Sequence, residues 1–114
     1  MDTIAHTLDI GERLLSISVP GDILSTNVEN LRIAAFALLD DPGVAQGAIR
    51  VVEVDLRRAS MVDSMGLNLL VSIIRAAKKI GASVRLVVSN NNVMRTLQFT
   101  RFHAHAEIRR VQAD

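Results

Sequence analysis

Short apolar or alternating segments, separated by turn residues, predict the β-strands of this chain. Residues 49–56 are rich in β-branched side chains, which favours a strand. Residues 4–10 and 13–19 flank a short turn and predict an opening hairpin. Residues 83–88 predict a further strand, and residues 107–111 form either a last strand or a frayed tail.

A repeat of apolar residues every three to four positions predicts a first helix between these strands. Thr26 and Glu29 have the spacing of a capping box at its start. The helix runs to about Leu39, and residues 40–43 end it because proline disfavours helical geometry in the residue before it. Its apolar face consists of Val28, Leu31, Ala35, Leu38 and Leu39.

Two more helices follow from the same periodicity. One spans about residues 65–80 and has Gly81 as its expected C-terminal cap. Its apolar stripe consists of Leu67, Leu70, Val71 and Ile74. The three asparagines at 90–92 supply capping residues for a shorter helix, whose apolar residues are Val93, Met94 and Leu97.

These elements predict an α/β fold in a single domain, residues 1–114. The strand–helix–strand unit at 49–88 normally forms two parallel strands with a right-handed crossover, so that the helix covers one sheet face. Together with the hairpin, it predicts a mixed β-sheet of four to five strands with helices packed mainly on one face. A length of 114 residues suits one hydrophobic core and is too short for two.

Composition narrows the range of functions. Thirteen basic and twelve acidic residues give a net charge of +1, which argues against nucleic acid as the partner. Phe36, Phe99 and Phe102 are the only aromatic residues; they are expected in the core and are too few for base stacking. The chain has no cysteine, which favours a cytoplasmic location. No secretory signal and no bilayer-spanning segment of roughly 18 apolar residues is visible, so no direct membrane insertion is expected.

The strongest candidate for chemistry is the pair Asp63 and Ser64, where a buried strand gives way to a helix. Ser64 lies at or near the helix N-cap, where free backbone N–H groups and the positive end of the helix dipole favour an oxygen or an added anion. This position makes the hydroxyl a candidate switch. The structural alternative is that Ser64 is only a helix cap and that Gly66 only permits close packing.

The motif VDSMGL at residues 62–67 resembles the signature of the STAS family of anti-sigma factor antagonists. The order of elements is similar to that of the family as well: an opening hairpin, a Gly-acidic turn at 21–24, then alternating helices and strands. Residues 81–87 match the strand after the family's switch helix. The resemblance covers roughly residues 8–111 and implies the STAS fold.

The resemblance implies a partner-switching regulator and no enzyme. Ser64 would be the phosphoacceptor for an anti-sigma factor that is also a serine kinase, and a matching phosphatase would reverse the step. Asp63 would orient the hydroxyl or a partner's cation, and Gly66 would permit close approach. Because the chain has no Gly-rich phosphate loop with its Lys, the partner would supply the nucleotide and the catalytic machinery. No cofactor is expected. The expected docking rim consists of Gly21, Asp22, Leu24, Ser25, Met65, Leu67 and Asn68.

Two positions depart from the family pattern. Met65 stands where the family usually has a second small hydroxyl residue, and Leu24 stands where an acidic residue is common. Asp22 would supply the missing negative charge from a different direction. Met65 and Leu24 would make the docking patch more hydrophobic, since methionine adapts readily to a partner surface.

A second function remains open: a non-phosphorylated STAS subunit that scaffolds a membrane transporter or a lipid-transfer ABC system. Such a scaffold would use the same helix face as a permanent interface. With its end at Asp114, the chain is expected to lack the last helix of many relatives, which could leave a sheet face or edge open for a homodimer.

Three other patterns are weaker. Arg57 and Arg58 before Ser60 resemble a basophilic kinase site, and Asp55 ends a strand as a receiver-domain phosphoacceptor would. His103 and His105 alternate and would face one side of a strand, but two ligands are too few to predict a metal site. We expect these residues to be structural or solvated.

Overall fold

The computed structural model describes residues 4–45 and 49–112. These residues form a five-stranded sheet and four α-helices. The strands are β1 (Ala5–Asp9), β2 (Leu14–Ser18), β3 (Val51–Asp55), β4 (Ser83–Val88) and β5 (Glu107–Arg110). The helices are α1 (Val28–Leu39), α2 (Pro42–Ala45), α3 (Ser64–Lys79) and α4 (Asn91–Phe99), and Phe102–Ala104 form a 3-10 turn. No helix in these two ranges is both long and apolar enough to cross a membrane.

The strands lie in the sheet in the order in which they occur along the chain. β1 pairs with β2 antiparallel, and the three remaining pairs are parallel. Each parallel crossover moves the chain by one strand in the same direction. Because such crossovers are right-handed, α1, α3 and α4 all lie on one face of the sheet. This architecture confirms the predicted α/β fold with a mixed sheet.

The hydrophobic core lies between this helix-bearing face and the helices. Alternate residues of the three central strands point into it, and the register aligns Ile17, Val54 and Leu86 in one buried row. The helices contribute buried stripes that consist of Val28, Leu31, Ala35 and Leu39 in α1, and Leu69, Leu70, Ile73 and Ala77 in α3. The expectation that all three phenylalanines lie in the core is wrong for Phe99, which is 87% exposed at the end of α4.

The opposite sheet face carries polar side chains. The register aligns Ser16, Glu53, Arg85 and Glu107 across four strands. Arg85 donates from Nε to Glu53 Oε2 at 2.8 Å, and both side chains are 21% exposed. A half-buried pair of this kind satisfies both charges and keeps the sheet face without helices compatible with water.

The start of α1 differs from the prediction, although its end at Leu39 is confirmed. Asn27 is the N-cap residue, and the expected capping box of Thr26 and Glu29 is wrong. Asn27 Oδ1 accepts from Leu24 N at 2.9 Å, and its Nδ2 donates to Asp22 O at 2.8 Å. The asparagine side chain therefore closes the turn before the helix, which takes the place of a reciprocal cap.

Gly81 ends α3 as predicted. It has φ +80°, and its N–H donates to Lys78 O at 3.1 Å while Ala82 N donates to Ala77 O at 2.9 Å. This pair of bonds is the Schellman arrangement, in which a left-handed residue follows the helix.

Replacing Gly81 by alanine is expected to lower the free energy of unfolding by about 1 kcal/mol, because an L-residue is disfavoured at positive φ. No atom lies within 4 Å of an added Cβ, so the effect is purely that of the backbone. Urea unfolding measures it, with Gly21→Ala as the control because Gly21 has open space and no positive φ. Equal losses in the two variants would contradict the prediction.

Candidate functional site

Two loops that are far apart in sequence pair with each other beside the start of α3. Ile23 and Val62 form an isolated parallel bridge. Ile23 N donates to Met61 O, and Asp63 N donates to Ile23 O, each at 3.1 Å. We call residues 21–25 and 59–64 the paired loops. They bring the predicted Gly-acidic turn and the predicted switch motif into one structure.

Two carboxylates hold the paired loops together, one from each side. Asp22 Oδ1 accepts from Ser60 N at 2.6 Å and from Met61 N at 3.1 Å. Asp63 Oδ2 accepts from Ser25 N at 2.8 Å. In each loop, therefore, one carboxylate accepts hydrogen bonds from backbone N–H groups of the other loop. Together these bonds restrict how far the two loops can separate.

Asp63 is also the N-cap residue of α3. Its Oδ1 accepts from Gly66 N at 2.9 Å. The backbone hydrogen bonds from Gly66 and then Ser25 hold the pKa of this carboxyl below its usual value, because they stabilise the ionised form. The capping role that the sequence allowed for Ser64 belongs to Asp63. Both Asp63 oxygens accept from backbone groups, where we expected them to orient the hydroxyl or a cation.

Replacing Asp63 by asparagine is expected to destabilise the domain more at neutral pH than in acid. A carboxyl whose pKa is lowered by folding stabilises the protein above its unfolded pKa of about 3.9, and this contribution disappears as the pH falls through the folded-state pKa. Urea unfolding at about pH 7 and about pH 2.5 should show a gap between wild type and variant that narrows in acid. The control is Asn68→Ala, whose gap should not narrow; a constant gap for Asp63→Asn would count against the prediction.

Gly66 lets α3 approach the paired loops closely. A Cβ added there would lie 2.5 Å from Ile23 O, 2.8 Å from Val62 Cγ1 and 2.9 Å from Ile23 Cγ2. The first of these atoms belongs to the backbone of the Ile23–Val62 bridge. The first turn of α3 and the bridge therefore fit together only because position 66 has no side chain.

Ser64 is the first residue of α3, and its side chain is exposed. Its hydroxyl makes no hydrogen bond to any other residue within 4–45 and 49–112. Asn68 lies one helical turn further on, on the same face of α3, and is exposed as well. The serine is thus held on a fixed backbone while its oxygen stays available to a second molecule.

Apolar residues flank Ser64 in the sequence and occur in the paired loops. Met65 is 42% exposed and Met61 is 57% exposed, which is unusual for residues of this type. Leu24 and Leu67 are half-buried, and Ser25 is exposed. We call the exposed part of the paired loops and the first turn of α3 the switch surface. Met61 was missed by the sequence reasoning; an apolar residue in a polar loop was the available signal.

The weaker candidates occupy ordinary structural positions. Burial raises the pKa of Asp55, but hydrogen bonds from the Arg57 side chain and backbone outweigh this effect, and the pKa is lowered. Arg57 Nε and Nη2 lie 3.0 and 2.8 Å from Asp55 Oδ2. His103 lies in the 3-10 turn and His105 follows it, so the predicted strand alternation of this pair is wrong. The part of the chain that is described holds no group of three or more metal-ligating His, Cys, Asp or Glu residues.

Comparison with known families identifies the class of this protein. A model of the STAS domain matches residues 6–114. The chain therefore belongs to the STAS family, as the motif and the order of elements predicted. No curated protein matches it at a significant sequence score.

Solved structures share this fold at low sequence identity. A candidate anti-sigma factor antagonist of Thermotoga maritima matches with a TM-score of 0.78 and 17% identity, over 93% of this chain and 85% of its own. An anti-sigma factor antagonist of Mycobacterium paratuberculosis matches with a TM-score of 0.74 and 18% identity, over 95% and 86%. The phosphorylated form of the Bacillus cell fate determinant SpoIIAA matches with a TM-score of 0.66 and 16% identity, over 96% and 92%. At these identities the likeness establishes the fold alone.

Proposed function

We propose that this protein is an anti-sigma factor antagonist that works by partner switching. With Ser64 unmodified, it binds an anti-sigma factor that is also a serine kinase; phosphorylation of Ser64 releases it, and a matching phosphatase restores the binding form. The proposal rests on membership of the STAS family and on structural neighbours from Thermotoga maritima and Mycobacterium paratuberculosis that are described as anti-sigma factor antagonists. Such a regulator acts in the cytoplasm, where sigma factors work.

The observation that carries the proposal is the exposed Ser64 hydroxyl on a fixed backbone. The paired loops and the Asp63 cap use carboxylates and backbone groups, and they leave the serine oxygen unengaged among the described residues. A kinase can therefore reach the oxygen without unfolding the helix. In this step Ser64 Oγ forms a bond to the terminal phosphorus of ATP, the bond from that phosphorus to the β-phosphate oxygen breaks and ADP leaves, and the hydroxyl proton passes to a base of the kinase.

The switch surface suits a partner that buries apolar side chains around this hydroxyl. Met61 and Met65 are exposed, and methionine packs adaptably against a partner. A phosphate placed among them would have to be desolvated in the complex, beside the carboxylate of Asp63. Phosphorylation therefore opposes binding at the interface itself.

The test combines mass spectrometry with a binding assay, using the anti-sigma kinase encoded nearest to this protein. After incubation with ATP, we expect one added phosphate on wild type and on Ser60→Ala, and none on Ser64→Ala. Ser60 is the matched control because it is an exposed serine of the same loop. The kinase should release the wild type in ATP and retain Ser64→Ala.

Two results would contradict the proposal: a phosphate on Ser60 alone, or binding that is insensitive to ATP in both proteins. If wild type and Ser64→Ala both stay bound in the presence of ATP, the result would instead support a scaffold in which the switch surface is a permanent interface. The exposed Met61 and Met65 favour such an interface as much as a transient one.

A further inference from the structure

A cleft lies between the C-terminal half of α3 and the segment 100–105, away from the paired loops. Its volume is about 360 Å³, within the range of sites for small molecules. Val71 and Ile74 of α3 and Phe102 of the 3-10 turn provide apolar lining. Phe102 is buried, so the aromatic wall belongs to the folded core and is present before any ligand arrives.

Two cations, Arg75 and Lys78, stand among the polar residues of the cleft, together with Thr100 and His105. Arg75 and Lys78 line it from α3, and His105 lines it from the other side. No acidic residue lines the cleft, and α3 contains no Asp or Glu from its first residue to its last. Neither Arg75 nor Lys78 forms an ion pair with another residue in 4–45 and 49–112, although both are exposed. Within the described part of the protein, both cations of this rim are therefore free to pair with an anion that enters the cleft.

We propose that this cleft binds a small amphipathic anion, with a carboxylate or phosphate head and an apolar chain or ring. The head would contact Arg75 and Lys78, and the apolar part would pack on Val71, Ile74 and Phe102. Guanidinium and ammonium groups form strong charge-assisted hydrogen bonds with such heads. Burial of the apolar part against this lining adds binding free energy that an inorganic anion does not gain. The two cations favour binding of an acid over binding of an alcohol with the same chain.

The cleft is separate from the switch surface, although both use α3. Val71, the cleft residue nearest to Ser64, follows it by seven residues, and Lys78 follows it by fourteen; these separations correspond to about 10 Å and about 21 Å along a helix at 1.5 Å per residue. A ligand in the cleft would leave the Ser64 hydroxyl uncovered. The proposed ligand site does not depend on the proposed switching, and each proposal can fail without the other.

The experiment titrates the whole protein with three probes and follows amide chemical shifts and heat. Decanoate carries both the acid and the chain, decanol carries the chain alone, and inorganic phosphate carries the charge alone. Decanoate is expected to bind at least about tenfold more tightly than either of the others. Its shift changes should be centred on residues 71–78 and 100–105.

Charge variants separate a specific site from general attraction to a basic helix. The double variant Arg75→Gln, Lys78→Gln should weaken decanoate binding by about tenfold. Lys79→Gln is the matched control, because Lys79 is also an exposed lysine of α3 but does not line the cleft. It should change the affinity less than about twofold. The proposal would be overturned if decanoate does not bind, or if decanol binds as tightly as decanoate. It would also be overturned if the double variant and Lys79→Gln lose equal affinity for decanoate, or if the shift changes are centred on other residues.

Discussion

Replacing Gly66 by alanine is expected to lower the free energy of unfolding by about 2 kcal/mol or more. Two effects oppose each other at this position. Alanine is the better helix former by about 1 kcal/mol, which favours the variant. Its Cβ, however, would lie 2.5 Å from Ile23 O, and this atom is backbone that cannot move without disturbing the Ile23–Val62 bridge. We expect the cost of this clash to exceed the gain in helix propensity.

Chemical unfolding of Gly66→Ala measures the effect, and Gly21→Ala is again the control because an alanine there meets nothing within 4 Å. The amide signals of residues 22–25 and 60–63 should also shift in Gly66→Ala, since the bridge must give way to the added methyl group. A Gly66→Ala protein as stable as wild type would show that α3 can move away from the bridge without loss.

On the proposed function, phosphorylation of Ser64 is expected to weaken binding to the anti-sigma kinase by tens to thousands of times while leaving the fold almost as stable. A phosphate at the start of a helix is itself stabilised by about 0.3–1 kcal/mol, so α3 should not melt. Burial of that doubly charged group in an apolar interface, next to Asp63, opposes complex formation by about 2–5 kcal/mol. The loss should therefore appear in affinity and not in folding.

Calorimetric titration of the phosphorylated and unphosphorylated proteins with the kinase measures the affinities, and thermal unfolding of the same two samples measures stability. Ser60→Ala, phosphorylated in parallel, should lose affinity as the wild type does. If the melting temperature falls sharply on phosphorylation, release comes from a conformational change and not from repulsion at the interface.

Local patterns predicted most of the secondary structure. The strand 83–88 and the end of α1 at Leu39 are confirmed, and the strands near 4–10, 13–19 and 49–56 are each one or two residues shorter at the ends. These features depend on neighbouring residues in the chain. The short helix α2 was not predicted, because the Pro and Gly at its start read only as the end of α1.

Contacts between distant segments were beyond the sequence reasoning. Asp22 and Ser60 are 38 residues apart, and so are Ser25 and Asp63. The spacing of apolar residues gives no information on such distant pairs. The sequence therefore predicts a docking role for Asp22, and for Asp63 it predicts a role in orienting the Ser64 hydroxyl or a partner's cation. In the structure both acids hold loops together. The glycine of the motif was easier to interpret, because close packing at a helix start depends on local geometry.

The paired loops also affect how Ser64 would be recognised. Its neighbours on the protein surface come from two segments that are far apart in sequence and meet only in the folded protein. On the proposed function, a kinase that contacts both loops reads a conformational epitope, and a short peptide around residue 64 would lack half of it. Nascent and unfolded copies of the chain would then not be phosphorylated on Ser64. Only folded molecules would take part in the regulation.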